Sequence, residues 1–181
     1  DRQKFDFFQP EGVSRGTVVF VHGGYWKAFD KSYWSHLAAG PLARGYAVAM
    51  PSYDLCPDVR ISEISTQIAA ALTEVANRTQ GAIVMSGHSA GGHLVARMND
   101  TLRLDEAEAA AESPMNMTPP HGVDVTVWVG ADERPVFLEQ AENFARSWGA
   151  KQVVAEGKHH FDVIDPLAEA DSELTKALLG S

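Results

Sequence analysis

Apolar residues along the chain form two patterns that alternate. Short continuous apolar runs indicate strands that are buried on both faces, as in a parallel sheet. These runs occupy positions 17–21, 46–50, 82–85, 123–129 and 152–155. Between and after them, apolar side chains recur at helical spacing over 64–75, 137–148 and 167–178. Strands that alternate with helices predict an α/β fold with a mainly parallel sheet.

The segment 99–122 does not follow this alternation. It carries a cluster of acidic residues, an alanine run and then the prolines Pro114, Pro119 and Pro120. Its first half predicts a short solvated helix and its second half a loop, and neither predicts a buried strand. The chain shows no internal repeat and no low-complexity linker, so we expect a single domain over 1–181.

Composition narrows the class of protein. The chain has 181 residues, 45% hydrophobic and 22% charged, which is typical of a globular domain with a sizeable core. A net charge of -9 argues against a nucleic-acid partner or a polybasic membrane contact. Cys56 is the only cysteine, and the sequence shows no leader and no apolar stretch long enough for a bilayer. We therefore expect a cytoplasmic protein, and whether it forms a homodimer is left open.

The pentapeptide G-H-S-A-G at 87–91 carries the clearest chemical signal. It follows a predicted strand and precedes small and apolar residues that can begin a helix. This is the context of a nucleophile elbow, in which Ser89 sits on a strained turn and projects above the sheet. A plain glycine-rich turn is the alternative interpretation. The surrounding strand and helix favour Ser89 as a catalytic nucleophile.

A second glycine motif, H-G-G-Y-W at 22–26, follows the first predicted strand. A glycine pair there allows backbone N–H groups to face a reacting carbonyl oxygen. With the N–H of Ala90, the residue after the nucleophile, Gly23 and Gly24 would form an oxyanion hole. A simple Gly-Gly turn is the alternative.

A serine nucleophile needs a histidine base and a carboxylate that orients it. In an α/β fold with a nucleophile elbow, the carboxylate follows the serine in the chain and the histidine follows the carboxylate. Asp132 comes first after the strand 123–129 and is the favoured acid, with Glu133 as the close alternative. The loop after 152–155 offers His159 or His160 as the base. We favour His160, because the following Phe161 could pack down and fix its imidazole. Solvated loop side chains are the alternative interpretation for both positions.

The remaining histidines indicate no separate function. His22 and His88 lie inside the two glycine motifs and are expected to order loops rather than transfer protons. The sequence contains no H-E-x-x-H, no paired cysteines and no spaced carboxylate cluster, so no metal site is predicted. No phosphate-binding glycine motif is present either. We therefore expect acyl transfer to water without a cofactor.

Taken together, these motifs resemble the kynurenine formamidase (arylformamidase) branch of the α/β-hydrolases. The resemblance is carried by H-G-G-Y-W at 22–26, D-K-S at 30–32, S-H-L at 35–37, Y-D-L-C-P at 53–57, G-H-S-A-G-G-H at 87–93 and G-K-H-H-F-D-V at 157–163. It implies an α/β-hydrolase fold and hydrolysis of N-formyl-L-kynurenine to formate and kynurenine, in tryptophan breakdown. By motif position it implies Ser89 as nucleophile, Asp132 as acid and His160 as base. The same match places Gly23, Gly24 and Ala90 at the oxyanion positions.

The substrate implied is a small aromatic formamide. Four aromatic residues could line its pocket or could equally be core: Tyr25, Trp26, Trp34 and Tyr53. Arg97 and Arg134 are expected to be surface charges rather than ligands of a substrate carboxylate. A carboxylesterase for small acyl esters would need the same triad, and a non-catalytic binding protein is the third alternative.

One feature departs from the α/β-hydrolase pattern. Ser89 and Asp132 are only 43 residues apart. A further strand and crossover helix should lie between the elbow strand and the acid-bearing strand, and a βαβ unit takes about 30 residues or more. The segment 99–122 contains no strand that could serve. We therefore expect that one strand–helix unit is missing from the chain near Met98 and Asn99.

Overall fold

The computed structural model describes residues 2–98, 114, 117–119 and 121–180. Its strands are β1 (Phe5–Phe8), β2 (Gly16–Val21), β3 (Ala47–Pro51), β4 (Ala82–Gly87), β5 (Thr126–Gly130) and β6 (Lys151–Ala155). Its α-helices are α1 (Ala39–Ala43), α2 (Ile61–Arg78), α3 (Ala90–Met98), α4 (Pro135–Trp148) and α5 (Glu173–Leu179). Among the described residues, 3-10 helices span Lys31–Ala38 and Asp165–Ala168.

The first four strands form one sheet in the order β1-β3-β2-β4. Strand β2 pairs in parallel with both β3 and β4, so that Val18 lies opposite Val48 and Val19 opposite Met85. All residues of β2 and β3 are buried, as continuous apolar runs predict for central parallel strands. The predicted strands at 17–21, 46–50 and 82–85 are therefore confirmed.

The core lies on both faces of this sheet, because alternate side chains of a strand point to opposite faces. Val19 and Val21 belong to one cluster, which also contains Ile64 and Ile68 of α2 and Leu94 of α3. Val18 and Phe20 belong to the other, with Leu37, Val163, Ile164 and Leu167. Residues 163–167 follow β6 in the chain, so the second cluster ties the β6 loop to the first sheet.

Strands β5 and β6 pair in parallel with each other in a separate two-stranded sheet. Among the described residues, β4 pairs with β2 alone and β5 with β6 alone. The predicted parallel sheet is thus interrupted between β4 and β5 among the described residues, at the place where the sequence predicts a missing unit. Strand β5 begins at Thr126, later than the predicted start at 123, and Val123 is exposed.

Two elements differ from the sequence-based expectations. Strand β1 is too short to show a pattern of its own and exists through its antiparallel pairing with β3. The helix predicted over 167–178 is divided into the 3-10 helix Asp165–Ala168 and α5, because the Ser172 hydroxyl accepts the Thr175 N–H (3.1 Å) and starts a new helix there. The predicted solvated helix in 99–122 lies largely outside the described residues.

The helices predicted over 64–75 and 137–148 are confirmed as α2 and α4. Helix α4 begins with Pro135 and ends at Trp148, and the following Gly149 adopts φ 61° and provides a left-handed cap. None of the helices in the described ranges combines the length and apolar character needed to cross a membrane.

Candidate active site

Ser89 occupies a strained turn between β4 and α3. Its φ is 54°, in the left-handed region that a residue with a side chain rarely adopts. The flanking glycines are required by close backbone contacts: a Cβ at Gly91 would lie 2.0 Å from the Val21 carbonyl oxygen, and one at Gly87 would lie 2.4 Å from the Gly91 oxygen. The structure therefore places Ser89 in the sharp strand-to-helix turn that the motif predicts.

The loop after β6 brings His160 to Ser89. Nε2 of His160 lies 3.1 Å from the Ser89 Oγ, within hydrogen-bond distance. His159 is directed elsewhere: its side chain is 57% exposed and its Nδ1 lies 3.2 Å from Asp162 Oδ1. Of the two candidate bases, His160 is the one that reaches the serine.

The carboxylate that meets His160 belongs to Glu133 and not to Asp132. The two Glu133 oxygens lie 3.1 and 3.2 Å from His160 Nδ1, and the Glu133 side chain is only 4% exposed. Asp132 is exposed, and its backbone N–H donates to the Lys158 carbonyl (2.9 Å). The structure thus brings the alternative residue Glu133, and not the favoured Asp132, to the imidazole of His160.

The physical reason for this correction lies in how the β5 loop is anchored. The Ala131 N–H donates to the Ala155 carbonyl (2.8 Å), and the Asp132 N–H donates to the Lys158 carbonyl (2.9 Å). These two bonds hold the backbone of residues 131–132 against β6 and the loop that follows it. In this arrangement the Asp132 side chain faces solvent. The next side chain, that of Glu133, turns inward and has the length to reach the imidazole.

The imidazole of His160 is held by a ring that the sequence analysis did not identify. Phe137, in the first turn of α4, stacks on His160 with centroids 5.0 Å apart and planes at 18°. Phe161 does not pack down as expected: it is 70% exposed and meets His160 only at an edge, with centroids 5.4 Å apart. The sequence offers one sign of this contact: Phe137 lies in the first turn of the helix that follows Glu133.

The glycine loop after β2, residues 22–26, which is the candidate oxyanion loop, is held by two buried side chains. His22 Nδ1 lies 2.7 Å from the Gly23 carbonyl oxygen, and Tyr53 donates its hydroxyl proton to the His22 carbonyl (2.9 Å). The rings of His22 and Tyr53 stack with centroids 4.4 Å apart. The Gly23 carbonyl and the Gly24 N–H belong to one trans peptide and point in opposite directions. Because the carbonyl faces the His22 imidazole, the Gly24 N–H points away from the His22 ring.

Glycine is required next to Ser89 in this loop. A Cβ at Gly23 would lie 3.0 Å from the Ser89 Cβ and 2.8 Å from the His88 carbonyl oxygen. Gly24 adopts φ 117°, which side chains rarely tolerate. Ala90, directly after Ser89, is buried at the start of α3. The structure therefore brings Gly23 and Ala90 together beside Ser89, with Gly24 following in the same loop.

The four predicted pocket residues have different environments. Tyr53 is fully buried and belongs to the core, which is the second of the two roles expected for it. Trp26 packs partly on the same core and meets His93 edge to face (5.2 Å). Trp34 packs partly on the opposite core cluster. Tyr25 is open to solvent at 67% exposure.

Exposed aromatic side chains occur in the segment after the glycine pair and directly after His160. Among the described residues, the exposed aromatics are Tyr25, Phe29, Tyr33 and Phe161. The first three follow the glycine pair of the oxyanion loop, and Phe161 follows His160 directly. Tyr25 and Phe29 also adopt positive φ values of 53° and 70°. Exposed aromatics at strained positions are typical of ligand-binding loops.

The two histidines of the glycine motifs are held neutral by burial. Desolvation lowers the pKa of His88 to about 4 and also lowers the pKa of His22, although each is opposed by a backbone hydrogen bond. The described residues contain no group of three or more His, Cys, Asp or Glu side chains arranged to hold a metal ion.

The two arginines have different environments. Arg97 was expected at the surface but is buried in α3, whereas Arg134 is exposed as expected.

This burial predicts a loss of stability in acid. A histidine free in the unfolded chain binds a proton near pH 6.5, whereas folded His88 does so only near pH 4. The unfolded state therefore gains protons first, and stability falls as the pH drops from about 6.5 to about 4. Equilibrium denaturation at pH 7.5 and pH 4.5 should show this loss. It should be smaller in the non-titrating variant His88→Gln, and an equal pH dependence in the two proteins would contradict the assignment.

The fold and the site define a class of protein, and comparison with known proteins agrees with it. Residues 18–177 match the model of the Alpha/beta hydrolase family, and the chain belongs to that family. The resemblance to kynurenine formamidases is confirmed: the chain is 29% identical to the Drosophila melanogaster kynurenine formamidase over 235 residues, covering 98% of this chain and 77% of that one. The Salmo salar kynurenine formamidase is 23% identical at the same coverage.

Solved structures share the fold. A protein from a Silicibacter species, provisionally named a thioesterase, has a TM-score of 0.92 and 48% identity, covering 100% of this chain and 82% of that one. Esterase 2 of Thermogutta terrifontis with bound propionate has a TM-score of 0.74 over 87% of this chain and 79% of its own. At 18% identity this second match shows the fold alone.

The expected missing unit remains a prediction, and two observations support it. Strand β4 and strand β5 are not joined in the described structure, and the Drosophila match extends over 235 residues although this chain has 181. If Met98 and Asn99 are adjacent in the purified protein, trypsin will release the peptide 98–103. We expect mass spectrometry to detect the control peptide 61–78 but not 98–103. Detection of 98–103 would contradict the prediction.

Proposed function

We propose that this protein is a serine hydrolase that cleaves the formyl amide of N-formyl-L-kynurenine to formate and kynurenine, a step of tryptophan breakdown. The observation that carries the proposal is the chain of contacts from Glu133 to His160 to Ser89, with Ser89 beside a glycine-rich loop. In this assignment Ser89 is the nucleophile, His160 the base and Glu133 the acid that orients it.

The first half of the reaction transfers the formyl group to the enzyme. His160 Nε2 accepts the hydroxyl proton while Ser89 Oγ attacks the formyl carbon, and the resulting oxyanion accepts hydrogen bonds from N–H groups of the glycine loop and Ala90. Glu133 holds the Nδ1 proton and stabilises the imidazolium. The C–N bond then breaks, and His160 gives its proton to the leaving aniline nitrogen.

The second half regenerates the serine. A water molecule loses a proton to His160 and attacks the formyl ester on Ser89. The tetrahedral intermediate collapses, the Ser89 oxygen recovers its proton from His160, and formic acid leaves and ionises to formate by losing a proton to solvent. Atoms and charges balance with water as the only co-reactant.

The aromatic side chains support an aromatic leaving group. Tyr25 and Phe29 lie on the loop that follows the glycine pair, Tyr33 lies in the 3-10 helix after that loop, and Phe161 lies next to the base. A formyl group is small and needs little surface, whereas an aniline ring can stack on exposed aromatic faces. This arrangement fits the substrate of the curated relatives better than it fits a purely aliphatic ester.

A second candidate is the hydrolysis of small acyl esters or thioesters by the same residues. It is favoured by the name given to the Silicibacter protein, which is 48% identical to this chain. Esters and thioesters need the same nucleophile, base and oxyanion donors, so the choice lies in the leaving group.

Comparison of kcat/KM on three substrates tests the proposal. The substrates are N-formylkynurenine, p-nitrophenyl acetate and an acetyl thioester, all measured with the same enzyme preparation. We expect the formamide to be preferred. A kcat/KM higher by several orders of magnitude on p-nitrophenyl acetate or on the acetyl thioester would overturn the formamidase assignment. It would leave the proposed serine hydrolase chemistry unaffected.

A further inference from the structure

His88, the second residue of the nucleophile elbow, holds the loop of the base. Its Nε2 lies 2.7 Å from the backbone carbonyl oxygen of His160. A carbonyl can only accept, so Nε2 carries the proton and donates it. The side chain of His88 is buried, with only 8% of the residue exposed, and its ring centroid lies 4.9 Å from that of His160.

The same residue contacts the other loops of the site. Its backbone N–H donates to the Val21 carbonyl at the end of β2 (3.1 Å). Its Nδ1 would lie 3.3 Å from a Cβ at Gly23, so the imidazole abuts the oxyanion loop. On another side it meets the Trp34 ring with centroids 5.9 Å apart. His88 therefore joins the loops that follow β2, β4 and β6.

The arrangement of the sheets makes this link important. Ser89 follows β4 of the first sheet, whereas His160 follows β6 of the second, and no described strand joins the two sheets. The Ser89–His160 contact therefore spans two separately hydrogen-bonded units. The His88 bond crosses the same gap but ends on the main chain of His160, so it restrains the base without using either reacting atom.

We propose that His88 is a positioning residue that holds the main chain of His160 against the elbow and keeps its Nε2 within reach of the Ser89 hydroxyl. This inference rests on the proposed roles of Ser89 and His160 but not on the identity of the substrate. A base displaced by about 1 Å loses on the order of a hundredfold in rate, so loss of this bond should slow the attack of Ser89.

Two amide variants form a matched pair for the test. In His88→Gln the side-chain amide nitrogen can occupy the place of Nε2 and donate to the His160 carbonyl. In His88→Asn the same group is one methylene shorter and cannot reach that oxygen. The measured quantity is the second-order rate constant for labelling of Ser89 by a small fluorophosphonate probe, with thermal denaturation to compare folding.

We expect His88→Asn to label roughly ten to one hundred times more slowly than the wild type, and His88→Gln to stay within a few-fold of it. Equal rates for the two variants would overturn the proposal. If His88→Asn does not fold, the labelling rate of His88→Gln tests the proposal alone. A His88→Gln rate as low as that of His160→Ala would show that a hydrogen-bond donor at position 88 does not position the base, and would overturn the proposal.

A second background separates positioning of the base from a general structural effect. In a His160→Ala protein the residual labelling no longer uses the imidazole, so adding His88→Asn should change its rate by less than about twofold. The same loss as in the wild-type background would show that His88 acts on the elbow or the oxyanion loop instead. Failure to turn over N-formylkynurenine would leave these labelling results unaffected, so the two proposals fail separately.

Discussion

Ser89→Ala is expected to lower kcat on N-formylkynurenine by about a millionfold, the loss typical of removing the nucleophile of a triad. The structure supports this expectation because Ser89 Oγ is the atom that His160 Nε2 meets at 3.1 Å. The backbone should be unaffected, since alanine and serine pay a similar cost at φ 54°. The measurement is steady-state kinetics together with mass spectrometry of the fluorophosphonate adduct.

Ser147→Ala provides the control for this experiment. Ser147 is exposed on α4 and bonds only locally, to the Phe144 carbonyl (3.0 Å). Its replacement should leave activity and labelling unchanged. A Ser89→Ala enzyme that keeps more than a tenth of the wild-type kcat would contradict the serine mechanism, and a wild-type protein that the probe does not label would favour a non-catalytic binding protein.

Glu133→Gln is expected to lower kcat by about ten-thousandfold, whereas Asp132→Asn should stay within about threefold of the wild type. A glutamine amide can donate to Nδ1 of His160, which would place the imidazole proton on Nε2 and prevent it from accepting the Ser89 proton. Asp132 is exposed and is directed away from the site by its backbone bond to Lys158. Kinetics of the two variants, with circular dichroism to compare folding, measures the difference.

The two substitutions are matched, because each replaces one carboxylate oxygen by an amide in the same loop. The opposite order of effects would show that Asp132 is the acid in the working enzyme. Equal and small effects would show that neither carboxylate orients the base, and the roles assigned to this loop would then be wrong.

The local sequence was sufficient to predict those elements whose conformation depends on residues close together in the chain. The turn at Ser89 follows from its own residues, because a Cβ at Gly87 would lie 2.4 Å from the Gly91 carbonyl oxygen in the same turn. The buried strands β2 and β3 follow from continuous apolar runs. By contrast, β1 depends on pairing with a strand about forty residues further along the chain, and a four-residue strand leaves no periodic signal of its own.

What the sequence by itself determined is therefore the class of fold, the strained turn that presents Ser89 and the loop that supplies His160. Tertiary structure alone decided that Glu133 rather than Asp132 faces that histidine, that Phe137 rather than Phe161 stacks on it, and that Tyr53 belongs to the core. The physical reason is that a turn is encoded by the residues within it. Which of two adjacent carboxylates faces inward depends instead on backbone bonds to Ala155 and Lys158, more than twenty residues away.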